Sequence, residues 1–483
     1  MEQKKVIAYQ LELFDENGES ALCHYPSGED VNGTAGSKDL QVVTAGEQGR
    51  ALMCNLMETV CRPNNIRTAY KQVKQNKGSC GVDGMEVEEF VGWYRANGST
   101  LLSALKSGTY TPSPVRLVEI PKPSGGMRKL GIPTVIDRVI QQALHQVLSP
   151  IYESEFSASS YGFRPNRSAL DALRKASEYV REGRTTVVDI DLQTFFDVVN
   201  HDRLMYRLST KTGDKPLLKL IRKYLQSGIM TDGVISQRTE GTPQGSPLSP
   251  LLSNIVLDEM DKELERRGHT FVRYADDCNI FVRSQEAGER VMHSLSIFIE
   301  AKLKLKVNEA KSKVCRVGKS KFLGYTLTEG GKLTINPKSI ERLKSKVREI
   351  TRRNRGVKLE QIIAELNSKL RGWLNYFRHA QCHKHVQRLD AWIRRKLRCY
   401  RIKQCKRVYT LQQFLHHQGV ETWQSWILAL SGKGIWRKSG CPQACQAMGN
   451  AWFTKLGLYS LTLNYETFNH LQKPPYTKVC TVV

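Results

Sequence analysis

Two apolar runs, Phe271-Val272-Arg273-Tyr274 and Cys278-Asn279-Ile280-Phe281-Val282, are separated only by Ala275-Asp276-Asp277. Runs of this length and β-branched or aromatic content read as strands, and so short a connection leaves a hairpin with adjacent carboxylates at its turn. Asp favours turns on its own account, so the pair alone assigns no chemistry. A second strand-like run, Thr185-Thr186-Val187-Val188-Asp189-Ile190-Asp191-Leu192, also carries acids and leads into Phe195-Phe196-Asp197. Asp189 and Asp191 point to the same face of a strand, so alternation does not choose between them. A third block, Gly241-Thr242-Pro243-Gln244-Gly245-Ser246-Pro247-Leu248-Ser249-Pro250, reads as a rigid Gly/Pro loop that opens a helix.

These blocks sit in a chain with a changing texture. Residues 1–50 carry nine acidic side chains against four basic ones, interleaved with Gly, Ser and Thr, and read as a flexible or accessory extension. From about Leu52 to Asn336, short β-branched runs alternate with helical patterns and are punctuated by segments such as Pro121-Lys122-Pro123-Ser124-Gly125-Gly126, which predicts an α/β or α+β body over 51–336. After Pro337 the periodicity is purely helical. Leu343, Val347 and Ile350 share a face; so do Ile362, Ile363, Leu366, Leu370, Trp373, Leu374 and Phe377, and then Val386, Leu389, Ile393, Leu397 and Tyr400. Three amphipathic helices over 337–407 are expected. Between Lys338 and Arg407 stand 22 Lys or Arg and five Asp or Glu, so +17 of the formal +26 lies in 70 residues. That imbalance on helices with intact apolar stripes predicts a nucleic-acid surface. The remainder, 408–483, holds Trp423, Trp426, Trp436 and Trp452 and reads as a small, separately packed domain.

The composition excludes several classes. No apolar run approaches the ~18 residues of a spanning helix, and Met1-Glu2-Gln3-Lys4-Lys5 opens no secretory signal, so no membrane partner is expected and the chain is expected to be cytoplasmic. The twelve cysteines never form a C-x-x-C pair, which spells neither a zinc knuckle nor a disulfide framework. Cys441 with Cys445, and Cys382-His383 with His385, lack the partner pairs of a metal site. Carboxylates on separate strand ends are, by contrast, what nucleotide addition needs: they hold two Mg²⁺ ions about 4 Å apart, one for the primer 3′-hydroxyl and one for the departing pyrophosphate.

The blocks together resemble the group II intron reverse transcriptases and maturases. The strand Asp189–Asp197, the loop Gly241–Pro250, the box Tyr274-Ala275-Asp276-Asp277 and Phe322-Leu323-Gly324-Tyr325 are similar to successive polymerase blocks of that family, in its order. Gly81-Val82-Asp83-Gly84 resembles its N-terminal block, and Val118-Glu119-Ile120-Pro121-Lys122 with Arg128-Lys129-Leu130-Gly131-Ile132-Pro133 its fingers block. Tyr161-Gly162-Phe163-Arg164-Pro165-Asn166-Arg167-Ser168 resembles the block after the fingers, and Leu370-Arg371-Gly372-Trp373-Leu374-Asn375-Tyr376-Phe377 the maturase signature.

The resemblance implies a right-hand polymerase, with fingers and an antiparallel palm sheet followed by a helical thumb that doubles as maturase, and a C-terminal DNA-binding domain. It implies Asp191, Asp276 and Asp277 as catalytic metal ligands for two Mg²⁺ ions, with Asp189 structural. It implies Phe196 as the gate against a ribose 2′-hydroxyl, Lys122 and Arg128 on the triphosphate, Gln244 against the incoming nucleotide and Lys311 near pyrophosphate. Ser168-Ala169-Leu170-Asp171 reads as a capping box that places Arg164 and Arg167 before a helix, where backbone-phosphate contact and a salt bridge are both open. Arg352, Arg353 and Arg355 crowd the end of the first basic helix and are candidate RNA contacts. The implied partners are group II intron RNA, an RNA template, a DNA primer or target, and dNTPs, in a bacterial nucleoid. No HNH-type block follows, so cutting of the second target strand is not expected of these residues. Two other readings stay open: a domesticated reverse transcriptase serving phage defence or CRISPR-linked acquisition, and a non-catalytic RNA-binding splicing factor.

Overall fold

The computed structural model describes residues 42–43, 52–53, 55–121, 126–231 and 234–471. The acidic stretch 1–50 lies outside the described residues except for Val42-Val43, and Lys122 lies outside them as well. The described residues form two compact units, one from residues up to 176 with 186–315, the other from 177–185 with residues from 316 onward.

The first unit opens with helices α1 (Leu56–Val60), α2 (Pro63–Gln75) and α3 (Phe90–Lys106). Pro63 starts α2, where its missing N–H costs nothing, and Ile66, Ala69, Tyr70 and Val73 form the buried stripe that holds the helix in place. Strands β1 (Val115–Pro121) and β2 (Met127–Ile132) pair antiparallel, with Ile120 opposite Arg128, and precede α4 (Val135–Glu153). Ser168 and Asp171 realise the expected box at the start of α5 (Ala169–Arg181): the Asp171 N–H donates to Ser168 Oγ at 3.2 Å, and the Ser168 N–H to Asp171 Oδ2 at 3.1 Å.

Next come β3 (Thr186–Ile190), α6 (Phe195–Val198), α7 (His201–Ser209) and α8 (Lys215–Gln226). They are followed by β4 (Ile229–Thr231), β5 (Val234–Ser236), α9 (Ser249–Arg266), β6 (Thr270–Tyr274), β7 (Asp277–Val282), α10 (Gln285–Phe298) and β8 (Lys313–Arg316). Two four-stranded sheets result, ordered β2-β1-β4-β5 and β8-β3-β7-β6. The second sheet carries the acids. Its β3–β7 and β7–β6 pairings are antiparallel, as expected of the palm.

In the second unit β9 (Tyr325–Leu327) and β10 (Leu333–Ile335) make a hairpin ahead of α11 (Pro337–Ile350), α12 (Leu359–Phe377) and α13 (His383–Gln404). All three predicted apolar stripes are buried, with Trp373 alone half-exposed. Asn336 caps α11 by accepting the Lys338 N–H at 3.0 Å. Tyr325 packs on Phe377 at 5.0 Å between ring centroids, so the β9–β10 hairpin belongs with these helices and the break in packing falls at 315/316 rather than 336. Six further helices follow: α14 (Val408–His417), α15 (Thr422–Leu430), α16 (Ile435–Lys438), α17 (Pro442–Ala447), α18 (Asn450–Lys455) and α19 (Leu461–Leu471).

They do not stand apart from α13. The buried carboxylate of Asp390 accepts the N–H groups of Leu461 at 3.0 Å and Thr462 at 2.8 Å and the Ser460 hydroxyl at 3.0 Å, capping α19 from the side of another helix. Arg398 donates to the Met448 carbonyl at 3.1 Å. Of the tryptophans expected to build a separate core, Trp423 is 62% exposed and Trp436 41%; Leu411, Leu415, Leu428, Met448 and Phe453 are the buried residues instead.

Candidate active site

The register of the palm sheet brings the acids together. Ile190 at the end of β3 lies opposite Cys278 on β7, and Tyr274 lies opposite Asp277, with Ala275-Asp276 as the two-residue connection. Continuing the β3–β7 register by one residue sets Asp191 beside Asp277, at the end of the sheet where the hairpin turns. Pleating divides the faces: Val188, Ile190, Phe271, Cys278 and Ile280 enter the core, so Asp189, Asp191, Asp277 and Asn279 share the opposite face. The backbone of Asp191 is clamped by the segment 306–312. Its carbonyl accepts the Asn308 N–H at 2.8 Å, and its N–H donates to Ser312 Oγ at 3.0 Å. Lys311 reaches Asp191 Oδ1 at 3.3 Å from a largely solvated position.

Among the described residues no group of three or more His, Cys, Asp or Glu closes on one point as a metal cage. The donor set nevertheless suits a hard divalent cation that keeps several waters and takes further oxygens from substrate phosphates, since such an ion needs only one or two protein carboxylates. Asp276 is exposed, and Asp191 and Asp277 are half-exposed, so solvent and substrate can reach all three side chains.

The loop Gly241–Pro250 docks on the segment that follows Asp191 in the chain. The Thr242 N–H donates to the Phe196 carbonyl at 2.6 Å and the Gly241 N–H to Val199 O at 2.8 Å; His201 Nε2 meets Gly241 O at 2.7 Å. Burial lowers the His201 pKa, which keeps the ring neutral as the donor of that bond. Gly241 has φ +85°, and a Cβ there would lie 2.7 Å from the Asp197 carbonyl oxygen, so glycine is required twice over. The Phe196 ring is half-buried and meets Phe195 edge-on at 5.2 Å. The Gln244 carbonyl accepts the Gly131 N–H at 2.9 Å, which ties the loop to β2. Arg128 is placed on β2 by its backbone, while its side chain, like the whole of Lys122, is outside the described residues.

The arginines divide by environment. Arg164 is buried: its guanidinium meets Glu153 at 2.8 Å and donates to the carbonyls of Ser157 and of Ser160, the latter at 2.9 Å. Those donors are committed inside the protein, which favours the salt-bridge alternative over phosphate contact. Arg167 lies half-buried over the Tyr161 ring at 5.2 Å and donates to Ala158 O at 2.7 Å. Arg352, Arg353 and Arg355 are exposed in the loop after α11. The first two, with Arg348, Lys396, Lys403 and Trp436, line an open basic groove; Arg355 turns to Glu365 at 2.8 Å.

Sequence reasoning missed the support beneath the turn. Ala275 has φ +58°, at a turn position that glycine usually takes, which costs ~1–2 kcal/mol for a residue with a Cβ. Under it Arg273, fully buried on the core face of β6, forks onto Asp261 and donates to Asn254 Oδ1 and to the Ala275 carbonyl, both at 2.9 Å. Asn254 in turn donates to Gly162 O at 2.9 Å, and a Cβ on Gly162 would lie 2.2 Å from the Ala275 nitrogen. The available signal was a charge in the middle of an otherwise apolar strand, which is kept only when paired.

Comparison with known proteins agrees with these blocks. Residues 120–327 match the family described as Reverse transcriptase (RNA-dependent DNA polymerase), and residues 340–419 match the Group II intron, maturase-specific domain. Protein YkfC of Escherichia coli is 32% identical over 313 residues, covering 56% of this chain and 82% of that protein. Group II intron-encoded protein LtrA of Lactococcus lactis is 30% identical over 338 residues, 56% of each chain, so the match spans little more than half the length of LtrA. The putative COX1/OXI3 intron 2 protein of Saccharomyces cerevisiae is 33% identical over 207 residues, 41% of this chain and 23% of that one.

Proposed function

Because the chain belongs to the group II intron reverse transcriptase and maturase family, we propose that it copies RNA into DNA at the Asp191–Asp276–Asp277 site and uses its basic helices to bind group II intron RNA and assist its splicing. The observation that carries the catalytic half is the register that sets Asp191 at the end of β3 beside the β6–β7 turn. Two Mg²⁺ ions bound there would acidify the primer 3′-hydroxyl and neutralise the departing pyrophosphate. Asp191 and Asp276 would hold them, with Asp277 alongside. Lys311, already in reach of Asp191, is positioned to give a proton to the leaving phosphate oxygen.

Phe196 closes the space a 2′-hydroxyl would need, which selects dNTPs, and Gln244 positions the incoming nucleotide from a loop fixed on two sides. Lys122 and Arg128 of the fingers block neutralise the triphosphate. The maturase half rests on the match over 340–419 and on the +17 carried between Lys338 and Arg407. Intron mobility then follows from one chain that holds the RNA and copies it at a DNA target in the nucleoid.

The test is primer extension on an RNA template with Mg²⁺. Asp191→Ala and Asp276→Ala should each abolish it while RNA binding persists; extension near the wild-type rate in either variant sinks the assignment.

A further inference from the structure

We infer that Arg273 is a positioning residue for the candidate metal site: with Asn254 and Asp261 it holds the strained Ala275 turn in the one conformation that presents Asp276. Arg273 lies opposite Cys278 on the core face of the hairpin, so it reaches no substrate, and its side chain is wholly buried. Its guanidinium nonetheless donates to the carbonyl of Ala275, the residue directly before Asp276. Asp261 on α9 supplies the countercharge and fixes the plane of the fork through two of its donors.

Asn254, two helical turns earlier on α9, accepts from the same guanidinium and bonds the Gly162 carbonyl. Gly162 then closes on the far side of the turn: the Tyr161 N–H donates to Arg273 O at 2.8 Å, and the backbone approach at Gly162 leaves no room for a Cβ. The left-handed φ of Ala275 is thereby gripped from its carbonyl side by Arg273 and from its nitrogen side by Gly162. A left-handed alanine in a hairpin turn is unfavourable in isolation and persists only where its surroundings over-determine it. Freed of the grip, the turn relaxes and Asp276 swings relative to Asp191, because the side-chain direction at a turn follows the backbone torsion of the preceding residue.

Arginine is required for this and lysine is not equivalent, since a single ammonium that pairs with Asp261 cannot also span the Asn254 and Ala275 oxygens. The inference rests on Asp276 being a metal ligand, and the experiment separates the two. Mn²⁺ binding to the full chain is titrated by the electron paramagnetic resonance of the free ion, thermal unfolding is followed by circular dichroism, and primer extension is measured against Mg²⁺ concentration. Arg273→Lys should keep the buried charge pair and unfold within a few degrees of wild type, yet weaken Mn²⁺ binding about tenfold, with a matching rise in half-saturating Mg²⁺ and a rate that recovers at saturating metal.

Asn254→Ala, which removes one oxygen of the same grip, should move affinity the same way by a smaller factor, and the double variant should fall short of additivity. Asp276→Ala serves as the reference: unchanged Mn²⁺ binding there overturns the site assignment itself. Loss of binding in Asp276→Ala together with wild-type affinity in Arg273→Lys and Asn254→Ala overturns the positioning role. If Arg273→Lys does not fold, Asn254→Ala decides alone, weakened affinity supporting the inference and wild-type affinity ending it.

Discussion

The Phe196 ring owes its position to bonds made by its backbone: its carbonyl is held by Thr242, and a neighbouring ring packs against its side. Shortening the side chain should therefore leave the loop in place and, under the proposed role, make room for a ribose 2′-hydroxyl. Phe196→Val or Phe196→Ala is expected to raise kcat/KM for ribonucleotides relative to deoxyribonucleotides, and an unchanged ratio in a normally folded variant would identify the ring as packing only. Gly241 gives the opposite kind of prediction. A methyl group there meets a carbonyl oxygen at 2.7 Å on a left-handed backbone, so Gly241→Ala should lower stability by about 2 kcal/mol or more in denaturant titration and disorder the loop that carries Gln244. A variant as stable as wild type would show that the loop moves aside at no cost.

At the scale of elements, the helices α11, α12 and α13 expose cations along one stretch of chain, and the loop after α11 adds Arg352, Arg353 and Arg355. Charge reversal at these three arginines should lower affinity for intron RNA and flatten the log–log salt dependence, by roughly 0.7–0.9 for each phosphate no longer neutralised. An unaltered slope would remove them from the interface. Arg352 and Arg353, which line the basic groove, should contribute more than Arg355, whose charge is partly met by Glu365.

These helices were fully legible in the sequence, because Leu343 through Tyr400 repeat with a helical period on long segments. So was the hairpin with its acidic turn, because apolar runs flank it closely. What was not legible is whatever depends on which side chain of another element a residue meets. The motif leaves Arg164 open to phosphate contact or a salt bridge, and the structure pairs it with Glu153, while the place of Arg273 beneath the turn is set by Asn254 and Asp261 on a different element. The tryptophans of the last segment misled for a related reason: aromatic content suggests a core, but an aliphatic core already existed along α13 and left Trp423 at the surface.

At the scale of the whole molecule, most of the formal charge of +26 falls on a stretch of chain outside the palm sheet, and under the proposed function gripping RNA and joining nucleotides belong to different stretches. A double dissociation should follow. Asp276→Ala is expected to lose polymerisation and keep splicing assistance, whereas reversal of Arg352, Arg353 and Arg355 is expected to cost splicing assistance more than extension on short templates. Equal losses of both activities in the second variant, measured on one preparation, would make the basic surface a polymerase thumb only. Among the described residues no helix is long and apolar enough to cross a membrane.

The capping of α19 by Asp390 also sets a timetable for synthesis. The palm sheet of the first unit can be completed once β8 has been made, at residue 316, but the buried carboxylate of Asp390 waits for the N–H groups of Leu461 and Thr462, nearly 150 residues later. At ~5–20 residues per second that interval lasts roughly 7–30 s on the ribosome. The nascent chain therefore passes through a stage in which the first unit is able to fold while the second still carries an unsatisfied acid. Newly made protein should acquire protease resistance in that order, the N-terminal fragment first.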